Sequence, residues 1–178
     1  SDTSAALARI GTAISKYWIC KRTPGHVVEA LECLGGSGYI EDSMMPRLYR
    51  DARLNNIWEG SGNIMCLDVL RAIEKEPATL PAILTELDAA KGGHRQLDSA
   101  VSRLRQLFKS GPPEALNARA MTELLAVSLQ AALLIRYAPN AISDAFCSAR
   151  LAQHQSMSYG CLPSDTNFKQ ILNRILVS

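Results

Sequence analysis

Apolar residues recur every three to four positions through most of this chain. No convincing run of alternating β-branched residues interrupts them, so the pattern predicts an all-α protein. Ala5 to Cys20 reads as an amphipathic helix with Ala6, Ile10, Ala13, Ile14 and Tyr17 along one face. Thr23-Pro24 is expected to end it and open a second helix, with Pro in the first turn and Val27, Val28, Leu31 and Leu34 inward as far as Gly35-Gly36. Residues 37–60 read as a long connection with short helical possibilities around Leu48–Leu54, and connections of such length tend to be functional. Asn63 to Glu74 predicts another helix, N-capped by Ser61, with Ile64, Leu67, Val69 and Leu70 as its buried side. Pro77 ends it. Two helical parts are therefore expected: residues 1–76 as part of a bundle, and residues 77–178 as a second helical layer packed on it. In the second part, Gly92-Gly93, Gly111-Pro112-Pro113 and Pro139 delimit helices at 79–90, 95–109, 114–137 and 140–154. A loop at 156–166 precedes a short helix at 167–176, and no internal repeat is evident.

The composition, 47% hydrophobic and 20% charged over 178 residues, is that of a globular protein and excludes a disordered chain. The longest apolar run, Leu124 to Ile135, is broken by Ser128 and Gln130 and reads as too short to span a bilayer. No basic-then-apolar start with a cleavage site is found in this segment, and no membrane partner is expected. Cys20, Cys33, Cys66, Cys147 and Cys161 are odd in number and lack CxxC spacing, which reads as reduced thiols in a cytoplasmic protein. His26, His94 and His154 stand alone, so no metal site is expected. The net charge of +2 conceals an asymmetry. Residues 1–90 carry nine Lys/Arg against twelve Asp/Glu, whereas residues 91–178 carry ten against five. A basic second half is compatible with an anionic partner, although such an excess is most often a solvated surface.

Two glycine-rich turns hold the candidate chemistry. The first is Leu34-Gly35-Gly36-Ser37-Gly38-Tyr39, and the second, about twenty residues on, is Ile57-Trp58-Glu59-Gly60-Ser61-Gly62-Asn63. Glycines allow a backbone to approach a flat or phosphorylated ligand closely. Gly35 alone would serve as a helix C-cap, but three glycines in four residues exceed what a cap requires. Glu59 reads either as an exposed loop acid or as a base whose pKa is raised by low-polarity neighbours, Ile57 and Trp58 among them. Asn63, in the first turn of a helix, is able to donate to a cofactor while the helix N-terminus adds free N–H groups; its plainer role is local capping.

The strings Glu29–Tyr39, Arg50-Asp51-Ala52 and Ile57–Ser61 together resemble the end of the catalytic unit of the acyl-CoA dehydrogenases. The likeness is greatest to the AidB-type branch, the alkylation-response flavoproteins, through Ile57–Arg71 and more loosely through Tyr137-Ala138-Pro139 and Ala145–Leu151. It covers most of residues 16–75 and, more weakly, 115–160. The resemblance implies that Glu59 takes the α-proton of an acyl-CoA thioester and that the backbone of Gly60 lies against the substrate. It implies flavin contacts from Ile57, Trp58, Ser61, Gly62 and Asn63. It further implies that Glu32, Gly35 and Gly36 reach the FAD of a neighbouring subunit in a homo-oligomer, a tetramer in the parent.

Two departures qualify this. Glu32 replaces the Gln of general acyl-CoA dehydrogenases and would repel a pyrophosphate, and Trp58 stands where many members have Tyr and narrows an acyl channel. The first implies that the FAD contact at Glu32 is differently arranged and favours the AidB-type branch, and the second points to weak or vestigial dehydrogenase chemistry. The resemblance also implies that an N-terminal helical domain and a middle β-domain, which hold most of the flavin, lie outside this chain.

Three functions remain in view. One is an AidB-type FAD protein with weak acyl-CoA dehydrogenase chemistry and sequence-independent double-stranded DNA binding in the alkylation response. Another is an ordinary acyl-CoA dehydrogenase whose extension only packs or oligomerises. The third is a non-catalytic helical interaction module. For DNA the candidate phosphate contacts are Arg71, Arg95, Arg103, Arg105, Lys109, Arg119, Arg150, Lys169 and Arg174. Arg71 and Arg150 lead because they lie in the strings most like the subfamily. Arg103 and Arg105 are two apart on a predicted helix and point differently.

Overall fold

The computed structural model describes residues 2–109, 111–152 and 159–175. Every regular element among them is helical. In order these are α1 (Asp2–Cys33), α2 (Gly36–Tyr39), α3 (Met45–Leu54), α4 (Gly62–Lys75), α5 (Thr79–Asp88), α6 (Arg95–Leu107), a 3-10 turn (Ala115–Asn117), α7 (Ala118–Tyr137), α8 (Asn140–Arg150) and α9 (Phe168–Asn173). They form two compact units. The first comprises Ser1–Thr79 and Glu114–Glu123, and the second Leu80–Pro113 and Leu124–Ser178. The segment 114–123, which the sequence boundary near 76 leaves with the second part, thus belongs to the first unit.

In the first unit α1 packs on α2, α3 and α4. The face expected of its first half is the buried one: Ala6, Ile10, Ala13, Ile14 and Tyr17 are all buried. Full burial of the two isoleucines, Ile10 and Ile14, stabilises by roughly 1.5–3 kcal/mol each. Arg9 grips Asp68 of α4 with two hydrogen bonds, at 2.8 and 2.9 Å, and Glu76 with a third at 3.1 Å.

The helix break expected at Thr23-Pro24 does not occur. Pro24 lies inside the continuous α1. Proline has a helix-compatible φ, and its cost is the missing N–H together with a clash at the carbonyl four residues back, about 3 kcal/mol. Packing on both sides offsets that cost: Arg9 and Tyr17 meet α4 before the proline, and Leu31 meets Gly38 of α2 after it. Thr23 Oγ1 donates to the Ile19 carbonyl at 2.7 Å beside the disrupted turn. Past Tyr17 no residue of α1 is fully buried, and Leu34, expected inward, is exposed.

Two further expectations are corrected. Residues 37–60 are not a long irregular connection, because α2 and the ten-residue α3 occupy most of it. Pro46 in the first turn of α3 and Ala52, both buried, fix α3 in place. In α4 the buried side is Gly62, Cys66, Val69, Leu70, Ala72 and Ile73, whereas Ile64 and Leu67 face outward. The true stripe follows the 3.6-residue period from Gly62, a position with no side chain to reveal it.

In the second unit the core draws on Ile83 and Leu87 of α5, Leu97 and Leu104 of α6, Leu125, Ala131 and Ala132 of α7, and Cys147 of α8. Asp88 pairs with Arg105, and Glu86 with Arg136. The helix expected over 140–154 is described to Arg150, and residues 153–158, with His154, lie outside the described residues. The helix expected over 167–176 spans Phe168–Asn173. The apolar run at 124–135 is part of a longer helical stretch, Ala115–Tyr137, whose 23 residues are long and apolar enough to cross a membrane by length and composition alone. Half of its most apolar window is buried inside the molecule, as in a core helix.

Candidate active site

The first glycine-rich turn closes α1. The amides of Leu34 and Gly35 donate to the Leu31 and Glu32 carbonyls, and Gly35 (φ 59°, ψ −140°) then turns the chain into α2. This is not the left-handed C-cap geometry, because ψ lies far from the left-handed helical value. A Cβ at Gly35 or Gly36 would meet nothing within 4 Å, so both expose open backbone. Gly38 is different. A Cβ there would lie 2.4 Å from the Leu31 carbonyl oxygen, so this glycine exists for close packing of α2 on α1.

Between these elements lies a cavity of about 690 Å³ lined by apolar Val28, Leu31, Ile40 and Tyr49 and by polar Glu32 and Arg50. Arg50 donates to Glu41 at 2.9 Å, and this hydrogen bond holds the Glu41 carboxyl below its usual range.

The second turn leaves the end of α3. The Ile57 and Trp58 amides donate to the Leu54 carbonyl at 2.8 and 3.3 Å, and Lys16 Nζ donates to the Asn55 carbonyl at 2.6 Å. Glu59 follows with φ 55°, the one non-glycine residue with positive φ among those described. For an acidic residue outside a helix this conformation costs roughly 1–3 kcal/mol, so the surroundings must impose it. Gly60 (φ 110°) completes the reversal, and a Cβ there would press on Met65 Sδ at 2.9 Å.

Ile57, Trp58 and Glu59 are all exposed, with Ile57 at 67% and Trp58 at 55%. The apolar pocket expected around Glu59 is therefore not built by this chain. Its two aromatic and aliphatic neighbours stand beside it in solvent and do not cover it.

Ser61 is the N-cap of α4, as expected, but its side chain makes no capping hydrogen bond. The first-turn amides of α4 thus lack both an intrahelical and a side-chain acceptor. Gly62 is seated on α1, where a Cβ would lie 2.9 Å from Lys21 Cε and 3.5 Å from Tyr17 Cε2. Asn63 Oδ1 accepts from Arg119 Nε at 3.1 Å, so the Asn63 side chain is engaged within the unit. Below this surface Cys66 is fully buried. Burial pushes its thiol pKa up, and that of the Tyr17 hydroxyl likewise, which suits packing and not nucleophilic chemistry.

Sequence reasoning missed Gly38, Lys16 and Lys21. Gly38 stood within the glycine run, but nothing in the sequence marked it as the packed member. The two lysines are ordinary helix residues until the loop is seen above them.

The cationic residues proposed for DNA are divided between the units. In the first, Arg71 lies 3.7 Å from Asp68 and Arg119 is held by Asn63. In the second, Arg105 is paired with Asp88, and of the three α6 arginines Arg95 and Arg103 are without an ion pair among those described. Arg95, Lys109, Lys169 and Arg174 are exposed, and Arg150 is half-buried in the last turn of α8. All five cysteines are free, and no group of three or more His, Cys, Asp or Glu suited to a metal ion is found among the described residues.

Residues 2–74 match the model of the acyl-CoA dehydrogenase C-terminal domain. AidB of Escherichia coli is 43% identical over 152 residues, 85% of this chain and 28% of that protein. Acyl-CoA dehydrogenase family member 11 of Caenorhabditis elegans is 34% identical over 62% of this chain and 18% of its own length. The crystal structure of C. elegans ACDH-11 in complex with C11-CoA superposes with a TM-score of 0.69 at 25% identity, over 99% of this chain and 34% of that one. The chain belongs to the acyl-CoA dehydrogenase family. It spans under a third of the length of these curated relatives. Members of the family are FAD-dependent.

The residues present fit a flavin cofactor. The uncapped first turn of α4 offers backbone N–H donors beside the Ser61 hydroxyl, a donor set suited to carbonyl or phosphate oxygens. Those donors form one edge of a site, and an edge leaves a flavin largely solvated. The isolated chain is accordingly expected to purify colourless. A yellow preparation with stoichiometric FAD would show that the residues present make a complete cofactor site.

Proposed function

We propose that this chain supplies the catalytic base and one wall of the flavin site of a FAD-dependent protein that removes hydrogens from the α and β carbons of an acyl-CoA thioester. The observation that carries this reading is the backbone at Glu59. A strained, positive-φ carboxylate is held outward beside the uncapped N-terminus of α4, which is how a group awaiting a substrate is presented. The Glu59 carboxylate takes the proton from the α-carbon, and the electron pair left behind forms the Cα=Cβ bond as a hydride departs from the β-carbon. FAD, when bound, supplies the acceptor for that hydride. The backbone of Gly60, on the outer side of a turn whose φ of 110° suits glycine, is proposed to lie against the thioester, and the α4 amides with Ser61 and Asn63 hold the cofactor edge. C11-CoA in the ACDH-11 complex supports an acyl-CoA substrate. Glu32 and Trp58 support a slow enzyme, the one by charge and the other by bulk. Glu32, Gly35 and Gly36 are proposed to meet FAD in a homo-oligomer, and the five free cysteines support a reducing cytoplasmic setting. The test is anaerobic mixing of the whole flavoprotein with acyl-CoA: bleaching of the flavin absorbance is expected, and its loss in Glu59→Gln.

A second activity, sequence-independent binding of double-stranded DNA as part of an alkylation response, rests on the charge of the second unit. That unit carries nine Lys/Arg against five Asp/Glu. Exposed Arg95, Arg103, Lys109, Lys169 and Arg174 are the contacts proposed to neutralise phosphates there, together with half-buried Arg150. Affinity for a labelled duplex is expected to fall by about 10³ or more between 50 and 200 mM salt if six or more phosphates are contacted. Charge reversal at Arg150 should weaken all sequences about equally. Absence of binding at low salt would leave the extension as a packing or oligomerisation element.

A further inference from the structure

We infer that Lys16 of α1 is a positioning residue for Glu59, an inference that rests on the assignment of Glu59 as the base. Ile57, Trp58 and Glu59 bury no large side chain that would anchor the turn they form. Its placement depends on its two ends. At the outgoing end Gly62 is seated on Tyr17 and Lys21. At the incoming end the ammonium of Lys16, half-buried, donates to the Asn55 carbonyl at 2.6 Å. Asn55 is the C-cap of α3, so its carbonyl belongs to the orphan acceptors of a helix end, where a cation is favoured. The hydrogen bond is charge-assisted and short. Lys16, Tyr17 and Lys21 are on the same helix, so one rigid element beneath the turn fixes both of its ends.

Lys16 also borders, with Tyr17, Cys20, Asn56, Gly60, Gly62 and Met65, a cleft too tight to admit a water molecule. Removing the donor frees the incoming end of the turn, and the carboxylate of Glu59, four residues on from Asn55, loses its fixed direction. Substrate contacts made elsewhere are untouched.

The test uses the whole flavoprotein with Lys16→Met, which keeps the aliphatic stem, and Lys16→Arg, which keeps a donor. Stoichiometric FAD in both shows that they fold. In Lys16→Met, hydrogen exchange of the amides at Ile57 to Gly60 is expected to quicken by about tenfold. The rate of flavin reduction at saturating acyl-CoA is expected to fall by roughly 10- to 100-fold. The dissociation constant for acyl-CoA should hold within about twofold, and Lys16→Arg should recover most of the rate. Unchanged exchange in Lys16→Met overturns the inference whatever Glu59 does. Quickened exchange with an unchanged reduction rate overturns it too, since the tie would then be structural alone. Glu59→Gln, measured alongside, separates the two claims: an active Glu59→Gln removes the base, and the positioning role falls with it.

Discussion

Glu59→Gln in the whole flavoprotein is expected to retain FAD and to lose acyl-CoA-dependent flavin reduction by about 10² to 10⁴-fold, the range for removing a positioned general base. The substitution is nearly isosteric. Glu59 is exposed and has no hydrogen-bond or ion-pair partner among those described, so the change breaks no folding contact. The positive φ is no harder for Gln to adopt than for Glu. Thermal stability should therefore be unchanged, and the whole effect should fall on the chemical step. A variant that lost flavin or unfolded would instead mean that Glu59 supports the turn. Reduction at the wild-type rate would remove it as the base.

The second large effect is on stability. Gly38→Ala places a Cβ 2.4 Å from the Leu31 carbonyl oxygen, and what must move is α1 backbone, not the end of a flexible side chain. A cost of about 1–3 kcal/mol is expected, or more if α2 is displaced. For a chain of this length that is a fall in melting temperature of roughly 2–12 °C. Gly36→Ala is the matched control, since a Cβ there meets nothing within 4 Å and its φ is not positive. Its melting temperature should stay level or rise slightly, as expected when an unstrained glycine is replaced. Equal melting temperatures for the two variants would contradict the close packing of α2 on α1.

How far the sequence foretold this depended on which physical signal each residue carried. The first half of α1 was legible because Ala6, Ile10, Ala13, Ile14 and Tyr17 repeat with helical period and all find the core. Helices from 79 onward were legible for the same reason, with Gly and Pro marking their ends. Pro24 was misread because the rule that proline ends helices is local, while α1 is held by tertiary packing on either side of it. Ile64 and Leu67 were misassigned because exposed apolar residues look like core ones in a string of letters.

At the site, the residue types at Glu59 and Gly60 pointed to the turn, but a low-polarity neighbourhood cannot be read from sequence neighbours alone. Ile57 and Trp58 precede Glu59 in the chain without enclosing it. The contact of Lys16 with Asn55 joins residues 39 positions apart, and nothing in either segment announces it. Arg119 and Asn63, 56 apart, were assigned separately to DNA and to cofactor, yet they bond to each other.

The central claim, that Glu59 takes the α-proton, is tested most directly without flavin reduction. An acyl-CoA deuterated at the α-carbon, with sulfur in place of the β-carbon, can lose its α-deuteron but has no β-hydride to give. In the whole flavoprotein its α-deuterium is expected to wash into solvent, and in Glu59→Gln the washout should slow by about 10² or more while the analogue still binds. Equal washout in the two proteins would contradict the account, because another group would then be moving the proton.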